Sequence, residues 1–124
     1  MAKNESSENY LEAILMLSKK LPVVRSVDIA NELGFKKSSV SVAMKNLREK
    51  EHIKVDDQGF IHLTPSGLEI ANMIYERHTL LSSWLIHLGV PADVAAADAC
   101  KMEHVISTES FEAIKRHVYE NKEV

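Results

Sequence analysis

Three side chains near the C-terminal end of the chain have types and spacing that suit metal binding. Within DACKMEHV, residues 98–105, the only cysteine, Cys100, is followed by Glu103 and His104. On a helix these positions project from one face, because residues three and four apart are neighbours there. A thiolate, a carboxylate and an imidazole converging on one point indicate a transition-metal site.

Three other interpretations of this segment stay open at this point. Cys100 follows a run of alanines closely and suits a small buried position. It also suits an oxidisable sensor thiol tuned by its neighbours, in a regulator that needs no metal. The third interpretation is an enzyme with Cys100 as nucleophile and His104 as base. No glycine-rich loop for an oxyanion or a phosphate accompanies that pair, which argues against an enzyme.

Length and composition bound the class of protein. The 124 residues suffice for one compact core or two small lobes, and 45% hydrophobic with 27% charged residues is an ordinary globular composition. No run approaches the roughly 20 apolar residues of a membrane helix. The N-terminus, MAKNESSENY, lacks the basic and apolar segments of an export signal. We therefore expect a soluble, cytoplasmic protein with no membrane partner and no internal disulfide.

The net charge of −3 conceals a basic segment. Residues 36–54 carry six lysines or arginines against two glutamates, a local balance of +4 that leaves −7 for the rest of the chain. Such a segment is more often a solvated face than a binding site. The placement of these charges on secondary structure therefore has to decide whether they bind nucleic acid.

Periodicity in the first third of the chain predicts two helices. Ser6 or Ser7 is suited to cap a helix that runs to about Lys19. Ser26 is suited to cap a second, short helix, VDIANEL, and Gly34 supplies the left-handed residue that ends it. A turn of three residues then leads into the basic segment.

The basic segment predicts the recognition helix of a helix-turn-helix. A helix from Ser38 to about Lys50 buries apolar residues at positions 40, 43, 44 and 47 and turns hydroxyl and basic side chains outward. Small outward side chains let such a helix approach base edges in the major groove. The residues that we expect at DNA are Lys37, Ser38, Ser39, Ser41, Val42 and Lys45.

A β-hairpin is predicted directly after the recognition helix. Ile53 and Val55 alternate with polar neighbours, as do Ile61 and Leu63, and residues 56–59 form the turn between them. A hairpin in this position is the wing of a winged-helix domain, whose lysines and tip contact the phosphate backbone. The order of elements therefore favours DNA binding.

A long helix is predicted from Pro65 to about Leu88, with Thr64 as its cap and Gly89 as its end. Apolar residues occupy more of its circumference than one neighbouring lobe would cover, which indicates a homodimer. A dimer presents two recognition helices to two half-sites, so the expected operator in double-stranded DNA is palindromic. The apolar positions are Leu68, Ala71, Ile74, Leu81, Trp84, Leu85 and Leu88.

The helix that follows carries the metal-binding segment. It is predicted from Pro91 to about Ser107, antiparallel to the long helix because the connection is short. His78 and Cys100 then lie at matching distances from the turn, roughly 15 to 17 Å at 1.5 Å per residue. On the first helix, Asn9 and Glu12 share one face and are suited to complete the site.

The chain resembles the diphtheria-toxin-repressor and manganese-transport-regulator family of metal-activated transcription factors. The resemblance covers nearly the whole length, through ENYLEAI, VDIANELG, SSVSVAMKNL, LTPSGLEIA, ERHTLL and DACKMEHVIS. It implies a mainly α fold with a small β-hairpin wing. Residues 1–64 would form the winged helix-turn-helix DNA-binding domain, and residues 65–124 a helical dimerisation and metal-binding domain, without a further C-terminal domain.

The resemblance also implies the ligands and the activity. Iron-responsive members have cysteine at the position of Cys100, whereas manganese-responsive members have glutamate there and aspartate in place of Asn9. The second metal site of the iron type lacks two ligands, since Ser82 and Ala96 stand at those positions. We expect a repressor of metal-homeostasis genes that is not an enzyme. The metal ligands that the resemblance implies are Asn9, Glu12, His78, Cys100, Glu103 and His104.

Ligand chemistry orders the candidate metals. A thiolate beside imidazole and carboxylate is softer than a site of oxygen and nitrogen alone, which favours Fe(II), Co(II), Ni(II) or Zn(II) over Mn(II). Cellular selectivity follows availability and geometry more than affinity. We therefore expect Fe(II) first and Mn(II) second, with Co(II), Ni(II) or Zn(II) binding in vitro.

Overall fold

The structure, a computed structural model, describes residues 2–121, with side chains from Ser7 onward. It forms two compact units, one of residues up to Asn72 and one of residues from Met73. The first contains α1 (Ala2–Lys20), α2 (Ser26–Leu33), α3 (Lys37–Glu49), β1 (Ile53–Val55) and β2 (Ile61–Leu63). The division falls within α4 (Pro65–His87), and the second unit continues with α5 (Ala92–Val105) and α6 (Thr108–Glu120).

Helix α1 begins earlier than predicted. The expected caps were Ser6 and Ser7, but the helix starts at Ala2, so both serines lie inside it. No glycine or proline precedes them, and a serine within a helix costs only a few tenths of a kcal/mol more than a good helix former. Further along, Leu11 and Ile14 are almost completely buried and hold α1 in the first unit.

The helix-turn-helix has the predicted elements, with a different cap on α2. Arg25, not Ser26, is the N-cap residue, and the Asp28 side chain accepts a hydrogen bond from the Arg25 backbone amide at 2.9 Å. Gly34 ends α2 with a φ of 70°, as predicted. Helices α2 and α3 bury the inward positions in one apolar core: Ile29, Ala30, Val40, Met44 and Leu47.

The predicted wing is present as an antiparallel hairpin. Ile53 pairs with Leu63, and Lys54 pairs with His62. Ile53 and Ile61 are buried, whereas Lys54 and His62 are exposed, so the alternation separates a core face from a solvent face. The Ile61 amide also donates to the Val24 carbonyl at 2.8 Å, which ties the hairpin to the segment before α2.

The hairpin is closed at its base by hydroxyl groups from the start of α4. Glu51 follows α3 in a left-handed conformation, with a φ of 63°, and its carbonyl accepts hydrogen bonds from Thr64 Oγ1 at 2.7 Å and Ser66 Oγ at 3.3 Å. Thr64 Oγ1 also accepts from the Gly67 amide at 3.2 Å, so Thr64 caps α4 as predicted.

The second unit contains a helix that was not predicted from the sequence. The predicted helix over residues 91–107 ends at Val105, and α6 then begins with Ser107 as its cap, whose Oγ accepts from the Ser110 amide at 3.1 Å. The cap and the apolar period of residues 111, 114 and 118 are visible in the sequence. Five residues form the buried cluster of this unit: Leu80, Leu81, Ala99, Phe111 and Val118.

The compact units divide within α4, after Asn72, whereas the predicted domain boundary lies where α4 begins. The predicted boundary between residues 64 and 65 follows secondary structure, and it stays a prediction. Across residues 2–121, none of the helices has the length and apolar character needed to cross a membrane.

Candidate metal centre and DNA-reading surface

Antiparallel packing of α4 and α5 brings two histidines to one carboxylate. His78 Nδ1 lies 2.9 Å from Glu103 Oε2, and His104 Nε2 lies 3.3 Å from Glu103 Oε1. The Glu103 side chain is completely buried, and the His104 side chain is 4% exposed. The 2.9 Å separation of His78 Nδ1 and Glu103 Oε2 is a hydrogen-bond distance. A carboxylate with two imidazoles beside it is a set of donors suited to a divalent transition-metal ion.

One oxygen of Glu103 lacks a hydrogen-bond donor. Within the part of the chain that the structure describes, Oε1 accepts no hydrogen bond, because the His104 ring lies within ion-pair distance but not in hydrogen-bond geometry. A buried carboxylate without full compensation is unstable in a protein core. A divalent cation bound beside two imidazoles would supply the missing charge and contact, so the residues present fit a metal ion.

Arg77 binds the backbone of Glu103. Its side chain is buried, and Nη1 donates to the carbonyls of Glu103 and Ile106, both at 3.1 Å. Nη2 lies 3.4 Å from Thr108 Oγ1, and the guanidinium lies 5.5 Å from the centre of the Phe111 ring. Arg77 was not predicted from the sequence, because a single arginine beside a histidine has no distinctive pattern.

The structure brings together two of the residues that were predicted to converge. His78 was expected at the height of Cys100 and close to Glu103 and His104, and its ring lies 2.9 Å from the Glu103 carboxylate. The Cys100 side chain is exposed. In the first unit, Asn9 and Glu12 are half-buried on α1 at the predicted spacing. The assignment of these six residues as ligands stays a prediction.

The outward face of α3 is accessible over its whole predicted length. Val40, Met44 and Leu47 point inward, whereas every residue predicted at DNA is exposed, and Val42 has 61% of its surface exposed. An exposed valine among serines and lysines suits contact with a thymine methyl group. The exposed residues are Lys37, Ser38, Ser39, Ser41, Val42 and Lys45. Their contacts with DNA stay a prediction.

The wing tip is acidic rather than basic. The Asp56 carboxylate accepts from the backbone amides of Phe60 at 3.0 Å and Gln58 at 2.9 Å, and lies 3.2 Å from the His62 ring. The Phe60 amide, and after it His62, holds the pKa of Asp56 below its usual value. Asp56 therefore builds the turn, and the cations suited to phosphate lie elsewhere: on Lys54, and on Arg25, which stacks 4.9 Å from the Phe60 ring.

A winged helix-turn-helix followed by a helical unit with a carboxylate and imidazole cluster defines the class of metal-dependent transcriptional regulators. Residues 4–61 match the iron-dependent repressor N-terminal DNA-binding domain, and residues 64–123 match the iron-dependent repressor metal-binding and dimerisation domain. The chain belongs to the iron-dependent repressor family. This confirms the predicted family and fold, and nothing in these matches supports a metal-independent redox regulator.

Named relatives agree with this membership. The transcriptional regulator MntR of Salmonella typhimurium is 32% identical over 90% of this chain and 71% of its own length. The solved structure of the manganese regulator SloR is 27% identical with a TM-score of 0.81, over 91% of this chain and 53% of that one. A manganese-dependent transcriptional repressor in complex with manganese is 25% identical with a TM-score of 0.83, over 90% of this chain. The chain spans about half the length of the two solved chains.

Proposed function

We propose that the protein is a metal-activated repressor that binds operator DNA as a homodimer and so controls metal-ion homeostasis. The observation that carries this proposal is the buried Glu103 carboxylate, which has a histidine on either side and one oxygen without a donor. Family membership supports the DNA-binding and dimerisation functions. The protein acts where its DNA lies, so we place it in the cytoplasm, and it performs no catalysis.

The proposed ligand set combines donors from both units. His78, Glu103 and His104 form its core, Cys100 contributes the thiolate, and Asn9 and Glu12 contribute from α1. When bound, a divalent ion supplies positive charge that compensates the carboxylates and joins donors from different helices. The chain's own contribution is to hold Glu103 dehydrated and to keep the His78 and His104 rings beside its carboxylate.

Regulation follows as a population shift in the DNA-binding unit. Donors on α1 and donors on α4 and α5 that share one ion restrict the orientations that the recognition helices sample. A conformation that fits two half-sites is then favoured. Coupling of this type is typically about 1–3 kcal/mol, or roughly 5- to 150-fold in DNA affinity. Two-fold symmetry of the dimer makes a palindromic operator the expected target.

Cys100 decides the order of the candidate metals. A thiolate favours Fe(II), Co(II), Ni(II) or Zn(II), so we propose Fe(II) as the physiological ligand and Mn(II) as the second candidate. The names of the similar proteins point to manganese. A Cys100→Ala variant separates the two possibilities, because loss of the thiolate weakens Fe(II) binding more than Mn(II) binding.

The deciding experiment is an anaerobic DNA-binding titration of chelator-treated protein with Fe(II), Mn(II), Co(II) and Zn(II). The operator DNA for this titration would first be selected from a pool of random duplexes by its binding to the metal-loaded protein. We expect 5- to 150-fold tighter binding with Fe(II) or Mn(II). Glu103→Gln should bind DNA as weakly with metal as without. Equal affinity with and without every metal would overturn the proposal, and peroxide release of DNA from chelated protein would support the redox alternative.

Lys45 tests the DNA-reading surface. Lys45→Ala should weaken DNA binding and reduce the salt slope by about 1 for each phosphate that is no longer neutralised, hence by about 2 for a dimer. The measurement is DNA affinity at several salt concentrations with saturating metal. Lys20→Ala, on α1, is the matched control and should leave the slope unchanged. An unaltered slope for Lys45→Ala would remove that residue from the phosphate-binding surface.

A further inference from the structure

Arg77 is an unusual residue in the core of the second unit. It retains 7% of its surface exposed, and its Nε atom is buried with no acceptor among residues 7–121. A buried cation with an incomplete set of hydrogen bonds costs stability, and an apolar residue of similar size is often at least as stable in such a place. The presence of arginine therefore calls for a role in which its geometry matters.

The hydrogen bonds of Arg77 converge on the end of α5. Glu103 provides one of the last four carbonyls of that helix, which have no partner within the helix itself. Nη1 binds this carbonyl and that of Ile106, so the guanidinium acts as a positively charged cap where the helix dipole is negative. Nη2 contacts Thr108 Oγ1, which connects the cap to the start of α6.

The cap fixes the residue that lies at the centre of the candidate metal site. The carboxylate of Glu103 contacts His78, and its carbonyl contacts Arg77, the residue directly before His78. Two adjacent residues of α4 thus hold the side chain and the backbone of the same glutamate. A change in the backbone position at Glu103 would move both oxygens relative to the two histidine rings.

We propose that Arg77 is a positioning residue for metal binding: it fixes the backbone of Glu103 and so sets the geometry of the carboxylate ligand. This inference rests on the proposed function. The planar guanidinium suits the role because it directs two nitrogens to three fixed oxygens, whereas a lysine ammonium is a single flexible point charge. Partners that orient a ligand in this way typically contribute 10- to 100-fold to metal affinity.

The test compares Arg77→Met and Arg77→Lys with the wild-type dimer. Affinity for Mn(II) is measured by competition with a fluorescent chelator, and the visible spectrum of the Co(II)-loaded protein reports ligand geometry. We expect Arg77→Met to bind Mn(II) 10- to 100-fold more weakly and to have an altered Co(II) spectrum. Arg77→Lys should recover part of the affinity, and it also serves as the test if Arg77→Met does not fold.

A matched control separates positioning from stability. Phe111→Leu loosens the same core beneath the guanidinium but leaves the Arg77 hydrogen bonds to the Glu103 and Ile106 carbonyls in place. It should lower the thermal midpoint of the metal-free protein and leave Mn(II) affinity and the Co(II) spectrum unchanged. Equal loss of affinity in Phe111→Leu and Arg77→Met would overturn the positioning role.

The remaining outcomes distinguish this inference from the function on which it rests. Wild-type protein that binds Mn(II) while Arg77→Met and Arg77→Lys bind it equally well would overturn the role of Arg77 alone. Wild-type protein that binds none of Mn(II), Fe(II) and Co(II) would overturn the proposed function and, with it, this inference.

Discussion

The two units differ in what they bury. The buried side chains of the first unit are hydrophobic, from Tyr10 on α1 to Ala71 on α4. The second unit encloses a glutamate and an arginine, Glu103 and Arg77, and these are the buried charged residues among the side chains of residues 7–121. The first unit is therefore held together as an ordinary globular core, whereas the second retains charges that packing alone does not favour.

This difference indicates where function constrains the sequence. In the first unit the proposed DNA-reading surface is the exposed side of α3, so the residues that stabilise the fold and the residues proposed to read DNA are separate. In the second unit the same side chain, Glu103, lies in the core and in the candidate site. Substitutions in the apolar core of the first unit should consequently affect stability alone, whereas substitution of Glu103 in the second unit should change stability and metal binding in opposite directions.

The largest expected loss of stability comes from Gly67 at the start of α4. A Cβ there would overlap the His52 carbonyl, which already accepts a hydrogen bond from the Thr64 amide at 3.1 Å. Gly67→Ala should lower the free energy of unfolding by roughly 3 kcal/mol, measured by urea denaturation without metal.

Gly34→Ala is the matched control for this close contact. Gly34 has a φ of 70°, but no atom lies within 4 Å of its Cβ position. Only backbone strain opposes that substitution, which should cost roughly 1 kcal/mol. Equal losses in the two variants would contradict the contact at Gly67.

Glu103→Gln should separate stability from metal binding. The amide keeps the shape of the side chain but carries no charge to desolvate, so the metal-free protein should gain about 1 kcal/mol. The stabilisation by metal, about 2.7 kcal/mol at a metal concentration one hundred times Kd, should disappear. Thermal unfolding with and without Mn(II) measures both effects.

An exposed glutamate of the same unit provides the control for Glu103. Glu112→Gln, on α6, removes the same charge from the surface and should preserve the full metal-induced rise in Tm. If Glu103→Gln also preserved that rise, Glu103 would not be a ligand.

The smallest expected effect is the pH dependence of the wing. The pKa of Asp56 is lowered in the folded protein, so its contribution to stability is fully present above the ordinary aspartate pKa, about 3.9, and is lost as pH falls through the lower folded value. Asp56→Asn should remove this part of the acid dependence. Urea denaturation between pH 6 and pH 3 measures it, with Asp57→Asn as the neighbouring control. An unchanged acid profile in Asp56→Asn would show that the turn hydrogen bonds do not depend on the charge.

Much of the fold could be predicted because its signals are local. Gly34 ends α2 and Thr64 caps α4 where the sequence indicated, and the alternation of residues 53–55 and 61–63 set the hairpin register. The predicted start of α1 was wrong because serine, although a good cap, costs only a few tenths of a kcal/mol inside a helix. Helix α6 was missed although Ser107 marks its start, since the helix predicted over residues 91–107 extended onto that cap.

The candidate site was harder to predict because burial depends on contacts distant in sequence. The spacing of Glu103 and His104 was visible, but the complete burial of Glu103 depends on packing against α4. Arg77 was not identified, since its main partners are backbone carbonyls. Every residue has a carbonyl, so the sequence does not indicate which ones an arginine will bind.

The hydroxyl bonds that close the wing at Glu51 have a consequence for the evolution of this protein. Glu51 precedes β1, and Thr64 and Ser66 follow β2. Since both hydroxyl groups bind the Glu51 carbonyl, the hairpin is closed at its base independently of its tip. Lengthening such a loop costs little, about 0.6 kcal/mol for each doubling. Descendants of this sequence can therefore gain or lose wing residues without altering α3, the helix proposed to contact the bases.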